Sequence, residues 1–285
     1  MVFSTKALRK EWVTTKGLVP EDFLVLILFV LGIEKTQFFQ SEDTLLTEEQ
    51  HKKLTGLFER RLLKEPVAYL TGNKEFFGRT FKVNKDTLIP RPDSECLVED
   101  ILSFGKNTRI PEYVFDIGTG SGALIVTLAR ELAKTTTKYI ASDISEGALV
   151  IAKQNSENLN APVTFLQGSL LEPYQSILEK EVANQVFIIA NLPYVSETLF
   201  KTTEPDVQSY EPTSALISDD EGMAHYKKLF EEIKKHDALS GWCWIEISPE
   251  QSDTLLKVIK SAFPDSQAYV GQDLSQRDRF IRFHF

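Results

Sequence analysis

The stretch Asn191-Leu192-Pro193-Tyr194 joins four groups suited to one task. Asn191 offers a side-chain oxygen that accepts an N–H, and the peptide carbonyl of Leu192 accepts a second. Pro193 fixes the backbone turn. Tyr194 supplies a flat face against which a planar group can stack. Together they can hold a planar amide or amino group by both of its hydrogens. Asn and Pro are also common turn residues, so the tetrapeptide alone fits a plain strand-to-loop turn equally well. It follows Val186-Phe187-Ile188-Ile189-Ala190, which has the length and β-branched content of a buried strand. The tetrapeptide therefore lies just past a strand's carboxyl end, where ligands bind in open α/β sheets.

A second stretch, Asp116-Ile117-Gly118-Thr119-Gly120-Ser121-Gly122, follows another apolar run and opens a helical pattern from Ala123 to Ala133. Glycines let the backbone turn tightly and approach a ligand closely. Gly118, Gly120 and Ala123 also satisfy the relaxed dinucleotide fingerprint, so an NAD site fits this loop as well. Asp143 ends the next strand, 21 residues beyond Gly122. Its carboxylate is placed to accept hydrogen bonds from ribose hydroxyls, in either cofactor. Asp116, two residues before the first glycine, tilts the choice toward S-adenosylmethionine, which carries a cationic amino-acid tail. The tetrapeptide tilts it further. Glu197, Asp206 and Glu211 follow the tetrapeptide and read more readily as solvated or loop-anchoring carboxylates than as catalytic ones.

The elements that must position these residues alternate from residue 112 onward. Apolar strands fall at 112–117, 138–142, 162–167, 186–190, 242–247, 267–271 and 279–284, with helical patterns between them. That alternation implies a doubly wound, mainly parallel sheet. The polar loop from Gln272 to Asp278 has no room for a crossover helix, so the last two strands pair antiparallel. A parallel sheet ending in such a pair is common to methyltransferases that use S-adenosylmethionine.

Residues 1–73 read as helical. Helices are expected at Ser4 to Thr15 and Pro20 to Leu31, then behind a capping box of Thr47 and Gln50, with Leu54, Phe58 and Leu62 on one face. Glu65-Pro66 opens a further short helix and Gly72 closes it. This helical domain shows no acid/base pair or metal cluster, and its expected role is partner binding or a lid. Residues 74–92 form a hairpin around Phe77 and Gly78 and a proline-rich linker, followed by a helix from Asp93 to about Phe104. Residues 93–285 form the catalytic domain.

The 285 residues are 42% apolar, which predicts a folded chain with a sizeable core. The net charge is −9, an acidic balance that argues against a protein living on duplex DNA. Cys96 and Cys243 are too far apart in sequence to read as a disulfide framework, and the four histidines are scattered, so no metal site is expected. The longest apolar run, Phe23 to Leu31, is short of the roughly 20 residues that span a bilayer. Lys6, Arg9 and Lys10 precede it, but acidic residues intervene and no small-residue cleavage site follows. No membrane association is expected, and the expected location is the cytoplasm.

These residues together resemble the HemK/PrmC family of protein-(glutamine-N5) methyltransferases that modify peptide chain release factors. The resemblance spans nearly the whole chain: Glu65 to Gly72, Phe76-Phe77-Gly78, Leu88-Ile89-Pro90-Arg91-Pro92-Asp93-Ser94-Glu95, Asp116 to Gly122, Asn191 to Tyr194, Tyr210-Glu211-Pro212 and Ala215-Leu216. The Ile89-Pro90-Arg91-Pro92 run and Glu211-Pro212 are far more specific than the glycine loop. The resemblance implies a class I, Rossmann-like fold behind a helical domain that recognises the substrate. It implies cofactor contacts from Gly118, Thr119, Gly120, Ser121, Gly122, Asp143 and Asn191, and an adenine-lining position at Leu170. Asn191, Leu192, Pro193 and Tyr194 hold the substrate glutamine in this reading. Leu192 stands where the family has a first proline, and Ser169 where an acid often precedes the adenine-lining residue. An N6-adenine nucleic-acid methyltransferase is the alternative, because an exocyclic amine presents the same two hydrogens.

Overall fold

A computed structural model describes residues 3–132, 136–180 and 185–285. Two compact units are present. The smaller holds the residues up to Asn73 together with Glu204–Tyr210, and the larger holds Lys74–Thr203 and Glu211–Phe285.

In the smaller unit, helices Thr5–Arg9, Pro20–Leu31, Lys35–Gln40, Glu48–Leu62 and Val67–Thr71 surround one apolar core. Trp12 and Phe23 each pack on Phe58 at 5.2 Å between ring centres. The helix ends follow local chemistry. Pro20 occupies the first turn of its helix and Gly32 ends it at φ 65°. Thr47 and Gln50 form the reciprocal capping box, with bonds of 2.9 and 3.2 Å. Four features differ from the sequence expectation, the first being a short antiparallel pairing of Phe3–Ser4 with Leu45–Leu46 inside the otherwise helical unit. The first helix passes into a wider π-type turn at Lys10–Thr15. Leu62 is 36% exposed, and Leu57 takes the buried place beside Leu54 and Phe58. The helix Lys35–Gln40 was not expected, although Glu34 and Gln37 form its capping box. Helix Pro205–Tyr210, far along the chain, also belongs to this unit. Arg61 lies 3.8 Å from Asp206, and the Tyr210 hydroxyl donates to the Leu63 carbonyl.

The larger unit begins at Lys74, within the first strand of the hairpin Asn73–Phe76 and Arg79–Lys82. Its turn residues Phe77 and Gly78 have φ values of 49° and 67°, the geometry that matches strand twist. Phe76 and Phe81 are buried and meet edge to face. The helix after the proline run starts as a short 3-10 turn at Pro92–Ser94 and continues as Glu95–Asn107. Seven strands follow: β1 Tyr113–Ile117, β2 Lys138–Asp143, β3 Val163–Gln167, β4 Gln185–Ala190, β5 Ser240–Glu246, β6 Ala268–Gln272 and β7 Asp278–His284. Their order is β6-β7-β5-β4-β1-β2-β3. β1 to β5 run parallel, and β7 pairs antiparallel with both β5 and β6.

Strand alternation feeds two cores. Phe115, Ile117, Ile188 and Ala190 face helices Ala224–Lys234 and Ser252–Ala262, while Val114, Phe187 and Ile189 face Glu95–Asn107 and Ala123–Leu132. Ala133, the expected last residue of that last helix, lies outside the described residues. The chain steps outward from β1 to β2 and β3, then returns to place β4 on the other side of β1. The order reverses between β1 and β4, and a doubly wound sheet opens its ligand crevice at such a reversal, above the carboxyl ends of the strands.

Candidate active site

The glycine loop leaves β1 and is tied to β2. The N–H groups of Gly118 and Thr119 both donate to the Ser142 carbonyl at 2.9 Å. Gly120 N–H donates to Asp143 Oδ2 at 2.8 Å, and Ser145 N–H donates to Asp143 Oδ1 at 2.9 Å. The Thr119 hydroxyl donates to Asp116 Oδ2 at 2.6 Å. Two glycines are required by the geometry. Gly118 has φ 73°, and a Cβ there would stand 3.0 Å from Leu192 Cδ2. Gly122 has φ 81°, and a Cβ there would stand 3.3 Å from that of Ala152. Asn155, buried in the helix Glu146–Asn158, braces the loop from behind. Its amide donates to the carbonyls of Ser121 and Lys82 at 2.9 Å, and its oxygen accepts from Lys82 N–H at 2.7 Å.

A cavity of about 1130 Å³, counting its open mouth, lies above β1, β2 and β4. Gly118, Thr119, Gly120, Ser121, Asp143, Leu170, Asn191, Leu192 and Pro193 all line it, and so does Ser169. The glycine loop and the tetrapeptide, 69 residues apart between Gly122 and Asn191, thus share one cavity wall. Leu170 is buried with φ 47°, held at the bend that follows β3. Asp116, Gly122 and Tyr194 do not line the cavity. Asp116 stands behind the loop, 1% exposed, with Oδ1 buried and lacking a partner. Burial pushes its carboxyl up to about 7, against the Thr119 hydrogen bond. Gly122 is turned toward the helix bearing Ala152. Tyr194 donates from its hydroxyl to Glu246 Oε1 at 3.3 Å, and its carbonyl accepts from Gln251 Nε2 at 2.9 Å. Asp143, expected to face ribose hydroxyls, spends one lone pair of each oxygen on a loop N–H, and burial raises its pKa.

Three further groups were not legible as site residues. Glu211 is buried; its Oε2 accepts from Ile89 N–H at 3.1 Å and its Oε1 from Arg91 at 2.5 Å. This pair joins the two most specific sequence stretches, and Pro90, Arg91 and Pro212 line the cavity. His225, read as an ordinary histidine, also lines it, with Nδ1 2.9 Å from Ser218 Oγ, and burial lowers its pKa. No spacing signal links His225 to the site; the turn Asp219–Gly222 brings it there. Glu246, at the end of β5, is 4% exposed, and burial raises its pKa. The acidic residue after an apolar strand was visible, but only the strand register shows what it stands beside. Among the described residues, no group of three or more His, Cys, Asp or Glu is arranged to hold a metal ion. No helix there is long and apolar enough to cross a membrane.

Known proteins match this arrangement at two levels. The profile of the PrmC N-terminal domain matches residues 17–72, and that of a methyltransferase domain matches residues 112–263. The release factor glutamine methyltransferase of Enterococcus faecalis is 36% identical over 248 residues, covering 87% of this chain and 86% of its own. That of Bacillus subtilis is 32% identical over 285 residues, covering 98% and 96%. Among solved structures, the catalytic domain of hMettl16 in complex with the MAT2A 3'UTR hairpin 6 superposes with a TM-score of 0.54. It covers 86% of this chain and 84% of that one at 13% identity, a likeness of fold alone. The seven-stranded sheet, the two matched domains and the whole-length relatives place this chain in the family of release factor glutamine methyltransferases.

Proposed function

We propose that the chain transfers a methyl group from S-adenosylmethionine to the side-chain amide nitrogen of the glutamine in the Gly-Gly-Gln motif of peptide chain release factors. It thereby modulates translation termination in the cytoplasm. The observation that carries this reading is the glycine loop and Asn191 lining one cavity at the reversal of the strand order. The names of the relatives support the substrate.

The cavity residues fit the cofactor. Gly118 to Ser121 present backbone to the cavity, and Asp143 edges it with lone pairs to spare. Ile144 and Leu170 offer apolar surface for a flat base. Asp116, with an unpartnered oxygen behind the loop, adds a negative potential suited to a cationic tail. When bound, S-adenosylmethionine supplies a methyl carbon activated by its sulfonium.

The chain's own residues orient the other reactant. An amide nitrogen is a poor nucleophile, because its lone pair is delocalised into the carbonyl. Asn191 Oδ1 and the Leu192 carbonyl accept its two hydrogens, direct the nitrogen, and favour the positive charge that develops there. Holding the two reactants in line supplies much of the remaining rate. The extra proton leaves the nitrogen for solvent after transfer. With 41 acidic against 32 basic residues, a phosphate backbone is disfavoured as partner, and a glutamine-bearing protein loop is not.

The smaller unit contributes recognition of the protein substrate. Phe29 and Phe39 are 38% and 64% exposed on it, large apolar groups with no core role. Replacing both by Ser in the full chain raises KM for the release factor and leaves cofactor affinity unchanged.

The deciding experiment incubates purified release factor with labelled S-adenosylmethionine and locates the added methyl by mass spectrometry. The expected result is one methyl on the glutamine side chain, and none in DNA. N6-methyladenine from a DNA substrate, with the release factor untouched, reverses the assignment.

A further inference from the structure

Asparagine has a donor end and an acceptor end of nearly the same shape, and its neighbours decide which end points where. The reaction proposed above needs Oδ1 toward the substrate. A flipped Asn191 would set its own NH2 against the amide's NH2, donor against donor. Something must therefore hold Asn191 by its nitrogen.

Strand register identifies the holder. β4 and β5 run parallel with Ile188 beside Cys243, Ile189 beside Trp244 and Ala190 beside Ile245. The next position on β4 is Asn191 and the next on β5 is Glu246. Both share the side-chain parity of Ile189 and Trp244, so they project to the same face at adjacent strand ends. Glu246 is fixed there. Its backbone carbonyl accepts from the buried Tyr226 hydroxyl, and its Oε1 accepts from the Tyr194 hydroxyl at 3.3 Å. Its Oε2 is buried and has no hydrogen-bond partner. Burial raises the Glu246 pKa, and the Ser94, Tyr194 and Asn191 side chains and the Arg279 charge work against that rise.

We infer that Glu246 is a positioning residue: it takes the Asn191 Nδ2 hydrogens on Oε2 and so leaves Oδ1 facing the cavity to accept the substrate N–H. The inference rests on the reading given under Proposed function. A carboxylate is acceptor-only, and a protonated carboxyl still keeps one acceptor oxygen. Either form of Glu246 can therefore serve. The same carboxyl group holds Tyr194, so both ends of the tetrapeptide are fixed from one point.

Glu246→Met keeps the side-chain length and removes both acceptors, whereas Glu246→Gln keeps one. In Glu246→Met, kcat on release factor falls about 10²–10³-fold, the loss expected when an oriented polar partner is removed. KM for the release factor and cofactor affinity by calorimetry stay as in the wild type. Glu246→Gln recovers activity to within about tenfold of wild type, since its Oε1 can replace Oε2. The double variant Asn191→Ala, Glu246→Met is no slower than Asn191→Ala alone, because the two residues act as one unit. A substrate-independent arm reads the Asn191 side-chain amide by NMR: one Nδ2 proton is shifted downfield in the wild type and loses that shift in Glu246→Met.

Wild-type kcat in Glu246→Met would overturn the inference. So would losses that multiply in the double variant, or a Glu246→Gln as slow as Glu246→Met while binding cofactor normally. Should Glu246→Met not fold, an unshifted Asn191 amide in the wild type overturns it alone. A wild-type enzyme that leaves release factor unmodified, with the NMR shift present, instead removes the functional reading and keeps the Asn191–Glu246 contact.

Discussion

Asp116→Asn separates charge from shape at the root of the glycine loop. Asp116 is 1% exposed, its Oδ2 accepts from Thr119 at 2.6 Å, and its Oδ1 has no partner. Burial is the main cause that pushes its carboxyl up to about 7, with the Asp143 charge adding to the rise. An unfolded aspartate titrates near 3.9, so the rise to about 7 on folding corresponds to about 4 kcal/mol. The sign follows from linkage. An acid whose pKa rises on folding favours the fold while it is protonated. That contribution is complete below about pH 4 and is lost as the pH rises to about 7. Asparagine is neutral throughout and keeps an oxygen for Thr119. The variant therefore matches the wild type near about pH 4 and exceeds it increasingly above, by at most about 4 kcal/mol near pH 8. In a chain of this length that corresponds to a rise in Tm on the order of 10 °C. Differential scanning fluorimetry of both proteins across that pH range reads the difference, in which all shared groups cancel. Cofactor affinity moves the opposite way at about pH 8, because the negative potential behind the loop is gone. A Tm difference that stays flat with pH would refute a carboxyl held high by burial, and with it the assignment of Asp116 as a stored charge.

Asn191→Ala cuts turnover about 10²–10³-fold, read by methyl incorporation at saturating cofactor; unchanged turnover removes Asn191 from its role. Leu192→Ala leaves kcat within about tenfold, since the backbone carbonyl persists, but costs roughly 2–5 kcal/mol of stability because the side chain is buried against Gly118. Leu192→Pro, neutral for the carbonyl, loses part of the same packing, so its Tm falls while activity survives. Asp143→Ala frees the N–H groups of Gly120 and Ser145 and weakens S-adenosylmethionine by roughly 1.5–3 kcal/mol; an unchanged dissociation constant contradicts this. Glu211→Ala strands the Ile89 N–H and lowers stability by about 1–3 kcal/mol in urea unfolding, with Arg91 free to reach water; a silent substitution denies that Glu211 ties the two stretches together.

Much of the fold is legible because local physics writes it. The seven strands lie within two residues of their expected bounds, since each is a short apolar run between turn signals. Pro20, Gly32, Thr47 and Gln50 set helix ends by their own hydrogen-bonding chemistry. The antiparallel last pair follows from a loop too short for a crossover. What local pattern cannot set is the choice among equivalents. Leu57 rather than Leu62 is buried because the core reaches only part of the way along that helix face. Helix Pro205–Tyr210 joins the smaller unit through contacts with Arg61 and Leu63, more than 140 residues earlier in the chain.

The sequence by itself determined the chemistry available: a glycine loop, an acid near the end of each of two strands, and an Asn-x-Pro-Tyr turn. Spacing along the chain carries that information, because each feature is built from neighbours. Tertiary structure decided which groups meet. It put Asp116 behind the loop and Asp143 on it, and turned Tyr194 away from the cavity toward Glu246. It also brought His225 and Arg91, which is paired with the buried Glu211, to the cavity wall. Those outcomes depend on strand order, register and burial. They arise from free energies of contacts between distant segments, which no single segment encodes.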